Sequence, residues 1–228
     1  MYPECAYIDF HGGALVFGGG DACMHRPGAD AGGSAWGIVL RRRLQDAAGT
    51  PLPAALDDAT ATYRHVLERH APSRIVIGGR SAGGNLAAAM LLRAKAEGLP
   101  MPAGLVLLSP QADLTESGDS FQVNQMVDVV LPGSLMRNNE LYAGGADLSH
   151  PYLSPLFGEF SGFPPTFLQS GTRDLFLSNA ARMHRALRRA SVDAELHIFE
   201  AMPHGEFQGN TPEDHELAAE VSRFIKAH

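Results

Sequence analysis

Residues of the types that act together on an acyl group lie far apart in this chain but in a telling order. Ser81 stands in Gly79-Arg80-Ser81-Ala82-Gly83, between the apolar run RIVIG (74–78) and a helix-forming run that begins at Ala82. The pattern G-x-S-x-G carries meaning when it joins a strand to a helix. The turn then holds its serine in a strained conformation, with the hydroxyl at the end of the sheet. Glycines on either side let neighbouring backbones approach where a Cβ would clash. A serine hydroxyl is a weak nucleophile and needs a general base, which in turn needs an orienting carboxylate. Asp174, in QSGTRDLFLSN, follows one predicted strand, and His204, in FEAMPHGEF, follows the next. Their order is that of hydrolases: serine, then acid, then histidine. Asp113, just after GLVLLS, is a rival carboxylate. Asp174 ranks above it because GTRD lies one strand before the histidine. The other histidines fall on helices, in loops, inside a strand or at the terminus, and read as surface or core residues.

Attack on a carbonyl also needs donors for the negative charge that develops on its oxygen, often the largest single catalytic contribution. DFHGGALVFGGG offers a strand ending at Phe10 followed by small residues whose backbone amides can approach a substrate. His11 reads as an anchor of that loop rather than as a second base. The plain alternative for both glycine-rich runs is a flexible turn. A phosphate loop is disfavoured, since no Lys-Ser or Lys-Thr follows the glycines.

The elements that must position these groups alternate along the chain. Short, nearly continuous apolar runs predict strands at 6–10, 36–40, 74–78, 104–109, 166–170 and 194–199, covered on both faces. Helical patterns lie at 53–70, 82–97, 178–190 and 212–226. Thr211, Pro212 and Asp214 predict a capping box for the last of these, and Ser178 is the expected cap of the helix before it. Strand–helix alternation implies an α/β fold with a mostly parallel sheet flanked by helices, one domain over residues 1–228. Residues 113–165 are rich in Gly, Pro, Ser and Asp, with a short helix expected near 133–142, and read as a cap or lid insertion. Residues 24–36, MHRPGADAGGSAW, oppose the helix that a parallel crossover requires.

Bulk properties remove several function classes. The chain has 228 residues, enough for a substantial core, with 45% hydrophobic and 19% charged residues. A formal charge of −7 opposes nucleic-acid binding, which needs a basic stripe. Cys5 and Cys23 form no metal-binding spacing and no disulfide framework. No apolar run approaches the roughly 20 residues that cross a bilayer. The N-terminus lacks the pattern of a secretory signal, so the expected location is cytoplasmic.

HGGALVFGG, PLPAALDDA, GGRSAGGNLAAAM, LLSPQADLT, SPLFGEFSGFPPTFLQSGTRDLFL and MPHGEF, in that order, resemble the hormone-sensitive-lipase-like bacterial esterases of the α/β-hydrolase superfamily. The resemblance covers most of the chain from Tyr7 onward. It implies an α/β-hydrolase fold and a serine carboxylesterase acting on short-chain esters through an acyl-enzyme, with no metal or organic cofactor. By the same resemblance Ser81 is the nucleophile, Asp174 the acid and His204 the base. The oxyanion donors are then the amides of Gly13, Ala14 and Ala82. Three departures stand out. The material that precedes the HGG strand in the family, including part of the cap, has no counterpart here. Arg80 replaces the usual acidic residue before the serine. Residues 24–50 lack the family pattern, as a local reading-frame disturbance in the gene would produce. An open, less selective site and self-association through an uncovered sheet edge are expected. The alternative to an esterase is an impaired hydrolase-fold remnant or a ligand-binding module.

Overall fold

Strands with both faces covered are apolar along most of their length, and the three central strands here follow that rule, with Thr166, Gln169 and Ser170 as buried polar exceptions. The computed structural model describes residues 5–16, 38–41, 51–131, 133–207 and 210–228, with backbone alone for 38–41. Its strands are β1 (Ala6–Phe10), β2 (Ile38–Arg41), β3 (Ile75–Arg80), β4 (Gly104–Leu108), β5 (Thr166–Gly171) and β6 (Ala194–Phe199). They form one sheet in the order β2-β1-β3-β4-β5-β6, with every neighbouring pair parallel. In β3, β4 and β5 every residue except Arg80 is buried.

The helices are α1 (Ala54–Leu67), α2 (Ala82–Ala96), α3 (Ser120–Val123), α4 (Met136–Ala143), α5 (Leu177–Arg189) and α6 (Pro212–Ala227). Alternation along the strands divides the core between two layers. Ile75, Ile77, Leu105, Leu107 and Leu168 pack with α1, α2 and α5 residues such as Leu56, Leu86 and Met183. Val76, Val106 and Phe167 point the other way, against Leu217, Val221 and Phe224 of α6. The α6 N-terminus is the expected capping box: the Asp214 amide donates to Thr211 Oγ1, and Thr211 N donates back to Asp214 Oδ2.

Register decides where the loops emerge. Phe10 pairs with Gly79, Arg80 with Leu108, Leu108 with Gln169, and Gly171 with Phe199. The carboxyl ends of β1, β3, β4, β5 and β6 are therefore level. The segments starting at His11, Ser81, Ser109, Thr172 and Glu200 leave from one edge of the sheet.

Residues 113–165 carry α3 and α4, the latter close to the expected short helix. This insertion is tied down by buried amides. Asn85 Nδ2 in α2 donates to the carbonyls of Gln111 and Leu153, each at 2.7 Å. Gln111 Nε2 donates to Asn139 Oδ1 at 2.8 Å, fixing α4. Most of residues 24–50 lies outside the described residues. Of that segment, Ile38–Arg41 is seen as a strand paired with β1, at the end of the run expected there.

Candidate active site

Ser81 joins the last residue of β3 to the first of α2 with φ 57° and ψ −122°. That backbone conformation costs an L-residue about 1–3 kcal/mol and persists only where its surroundings over-determine it. They do so here. Ser81 N donates to Leu108 O at 2.9 Å, and Ser81 O accepts from the amides of Asn85 (3.2 Å) and Gln111 (3.1 Å). The glycines make the turn possible. A Cβ on Gly83 would lie 1.8 Å from Phe10 O, and one on Gly79 would lie 2.4 Å from the Gly83 carbonyl carbon. Strand β1, the turn and the first turn of α2 thus touch through backbone alone. The Ser81 hydroxyl makes no capping bond to its helix, and the residue is 8% exposed.

The expected acid and base pair with each other. His204 Nδ1 is 3.0 Å from Asp174 Oδ1. Asp174 is fully buried and His204 is 8% exposed. An ionised carboxylate only accepts, so this contact places the imidazole proton on Nδ1 and leaves Nε2 as the acceptor. Asp174 Oδ2 accepts from Ser170 Oγ at 2.7 Å, and Oδ1 also accepts from Phe176 N at 2.9 Å. Burial alone would raise the Asp174 pKa. The charge of a protonated His204, its hydrogen bond and those from Phe176 and Ser170 outweigh burial and hold the carboxyl below its ordinary range. The Phe176 ring meets the imidazole edge-on, centroids 4.8 Å apart, which limits its tilt.

No hydrogen bond joins the Ser81 hydroxyl to the imidazole among the described residues. Their neighbours, however, interlock. Gly205 packs against Arg80, where a Cβ would meet Nη1 at 3.5 Å, and Glu206 forms an ion pair with the same guanidinium at 2.7 Å. Gly205 N also donates to Ser109 Oγ at 3.0 Å, from the end of β4. Catalytic contacts to the nucleophile are often long before substrate binds.

The His11 loop lies directly against the elbow. A Cβ on Gly12 would be 3.2 Å from both Arg80 O and Ser81 Cβ. Gly13, Ala14 and Leu15 all have positive φ (141°, 50° and 65°), and Val16 N closes a turn onto Gly13 O at 3.0 Å. Ala82 is the first residue of α2, so its amide belongs to the unpaired donors of a helix start. His11 Nδ1 contacts Gly12 O at 2.8 Å, a contact within its own loop.

A family model described as the α/β-hydrolase fold matches residues 7–208. The chain belongs to this family. An acetyl-hydrolase of Streptomyces hygroscopicus is 36% identical to this α/β-hydrolase chain over 198 residues, 85% of this chain and 64% of its own length. An esterase of Acinetobacter venetianus is 31% identical, over 76% of this chain and 59% of its own length. The chain thus spans less than two thirds of these curated relatives. The crystal structure of esterase E25 superposes with a TM-score of 0.93 at 36% identity, over 99% of this chain and 70% of that one. A hormone-sensitive lipase from a metagenome library gives 0.91 at 34% identity, over 98% and 78%. The hormone-sensitive-lipase-like resemblance of the motifs therefore extends to the fold.

One detail of the α/β-hydrolase chain differs from expectation. Ser178 does not cap α5, because the helix starts one residue earlier, at Leu177, after Phe176. The start is set instead by Asp174, whose Oδ1 takes the Phe176 amide and whose carbonyl takes the Leu177 amide. Ser178 is left to exchange two hydrogen bonds with Ser120 of α3, each 2.9 Å. The rival Asp113 is fully buried but is held by Thr115, Ser117 and the Arg182 guanidinium. No imidazole contacts it among the described residues. Sequence reasoning missed Ser109, Asn124 and Asp128, which contact the loops carrying His204 and Asp174. The one available signal was an isolated acid within MVDVVL, a charge placed among apolar neighbours. Among the described residues no cluster of three or more His, Cys, Asp or Glu could hold a metal ion, and no helix is long and apolar enough to cross a membrane.

Proposed function

We propose that this chain is a serine carboxylesterase hydrolysing short-chain carboxylic esters. The observation that carries the proposal is the buried His204–Asp174 hydrogen bond, at the sheet edge from which the strained Ser81 turn also emerges. Relatives named acetyl-hydrolase and esterase support the substrate class. In this reading Ser81 Oγ attacks the acyl carbon while its proton passes to His204 Nε2. Asp174, held as a carboxylate, keeps the imidazole in the accepting tautomer and stabilises the imidazolium that forms. The amides of Gly13, Ala14 and Ala82 receive the oxyanion. The intermediate collapses as His204 protonates the departing alkoxide, leaving an acyl group on Ser81. Water, deprotonated by His204, then attacks the acyl carbon; the C–Oγ bond breaks, His204 returns the proton to Ser81 Oγ, and the carboxylic acid is released. The small-molecule ester is the partner of this reaction, with water as the second reactant. We extend the proposal to the domain plan, one hydrolase domain in which residues 113–165 border the substrate site.

Hydrolysis of p-nitrophenyl acetate and labelling by a fluorophosphonate probe test the reading together. Ser81→Ala is expected to lower turnover by roughly 10⁴-fold or more and to abolish labelling, with the melting temperature retained. An unchanged rate would remove Ser81 from the mechanism.

A further inference from the structure

One carboxylate outside the triad is connected to both the acid and the base. Asp128 lies in the insertion between β4 and β5 and is 3% exposed. Among the described residues no Lys, Arg or His side chain pairs with it. Four backbone amides compensate its charge instead. Oδ1 accepts from Val130 (2.9 Å), Leu131 (3.1 Å) and His204 (3.3 Å), and Oδ2 accepts from Leu175 at 2.7 Å. The first two contacts close a local turn. The other two are remote, 76 and 47 residues away in the chain. One of these amides is that of His204 itself, and the other belongs to the residue that follows Asp174. Asn124, four positions before Asp128, strengthens the grip with the opposite polarity: its Nδ2 donates to Asp174 O at 2.8 Å and to Thr172 O at 3.2 Å.

The Asp174–His204 contact joins two loops that leave separate strands, so its length depends on how those loops are held relative to each other. Arg80 and Ser109 hold the base loop from its far side, at Glu206 and Gly205. The two loops also bond each other directly near their strands, Ala201 N to Thr172 Oγ1 at 2.8 Å and Arg173 N to Met202 O at 3.2 Å. Asp128 ties them farther out, with one oxygen on the amide next to the acid and the other on the amide of the base itself. We propose that Asp128 is a positioning residue for the triad, its carboxylate clamping the Leu175 and His204 amides and so setting the geometry between Asp174 and His204. The insertion then forms part of what aligns the proton path as well as a wall beside it. The proposal rests on the esterase reading above. A carboxylate suits the task because all four partners are donors. An asparagine could keep three contacts through its oxygen but would turn its NH₂ toward Leu175 N, two donors face to face.

The test compares wild type, Asp128→Asn, Asp128→Ala and, as a control, Asp147→Asn, whose carboxylate accepts from the amide and hydroxyl of nearby Ser149. The readouts are kcat and KM with p-nitrophenyl acetate, the melting temperature, and the low-field proton resonance of the His204 Nδ1–H. Expected for Asp128→Asn is a kcat lower by about 10- to 100-fold, a displaced or lost resonance, and a nearly unchanged KM, as a small misplacement of catalytic groups produces. Asp128→Ala should lose more, and Asp147→Asn nothing. Wild-type kcat with an unmoved resonance in Asp128→Asn overturns the proposal, as does a raised KM at unchanged kcat, which would make the residue part of a substrate wall. Should the variants fail to fold, hydrogen exchange in the wild type decides. The Leu175 and His204 amides must be protected and open together, and free exchange of either one overturns the clamp. An unlabelled, inactive wild type would defeat the esterase reading, while the resonance and the exchange rates would still judge the clamp.

Discussion

In the proposed reaction, Ser81 and His204 divide the work between strain and charge. The serine is forced into an uncommon backbone region by bonds to Leu108, Asn85 and Gln111. The histidine is oriented by a carboxylate kept ionised despite complete burial. These roles imply a sharp difference between two equally buried acids. Asp174→Asn keeps the volume but replaces the accepting oxygens by an amide that favours the wrong imidazole tautomer, and is expected to lower kcat on the order of 10⁴-fold. Asp113→Asn disturbs only the contacts to Thr115, Ser117 and Arg182, and should leave kcat within about twofold when assayed well below its melting temperature. Steady-state kinetics on the two variants checks the assignment, and equal losses would contradict it. The placement of Ser81, Asp174 and His204 at one sheet edge was legible in the sequence because each lies within five residues of the end of a strand; their catalytic roles belong to the proposal. Asp128, Ser109 and Asn85 were not legible. Their remote partners lie between 26 and 96 residues away, and only tertiary packing brings them together.

Among the elements, the joint between β1, β3 and α2 sets the tightest tolerance. Gly83 touches the Phe10 carbonyl with no room for a methyl group. Phe10 is the residue immediately before the His11 loop, so any separation there moves the proposed oxyanion amides away from Ser81. Gly83→Ala is expected to destabilise the fold by about 1–3 kcal/mol through overpacking, with a loss of kcat beyond what the stability change explains. Gly133→Ala, where a Cβ would meet nothing within 4 Å, is the matching control and should shift stability by less than about 0.5 kcal/mol. Thermal melts and kinetics on both report the difference. The strands and long helices were legible because strand–helix alternation in apolar character is a local signal, and α6 announced its start through Thr211 and Asp214. The start of α5 was not legible, because Asp174 serves the helix and the histidine at once and frees Ser178 for Ser120.

For the whole molecule, the buried carboxylates determine how the fold answers to acid. Asp113 and Asp174 are both fully buried, and in both cases burial, which would raise the pKa, is outweighed by donors. For Asp113 these are Thr115, Ser117 and Arg182, and for Asp174 they are led by His204. Each therefore has a lower pKa folded than unfolded, where an aspartate titrates near about 3.9. A group depressed in this way contributes its full stabilisation above the unfolded value and loses it as pH falls through the folded one. The melting temperature should accordingly hold from neutral pH down to about pH 4 as far as these two groups are concerned, and fall steeply below it. Asp113→Asn removes one of the two contributions. Its deficit against wild type is expected to be largest near neutrality and to narrow progressively below about pH 4, because the wild type then loses by protonation what the variant lacks already. Calorimetry of both proteins across that range tests this. A deficit that stays constant down to the lowest pH at which both remain folded would mean that the Asp113 charge is not what Arg182 and the two hydroxyls hold in place.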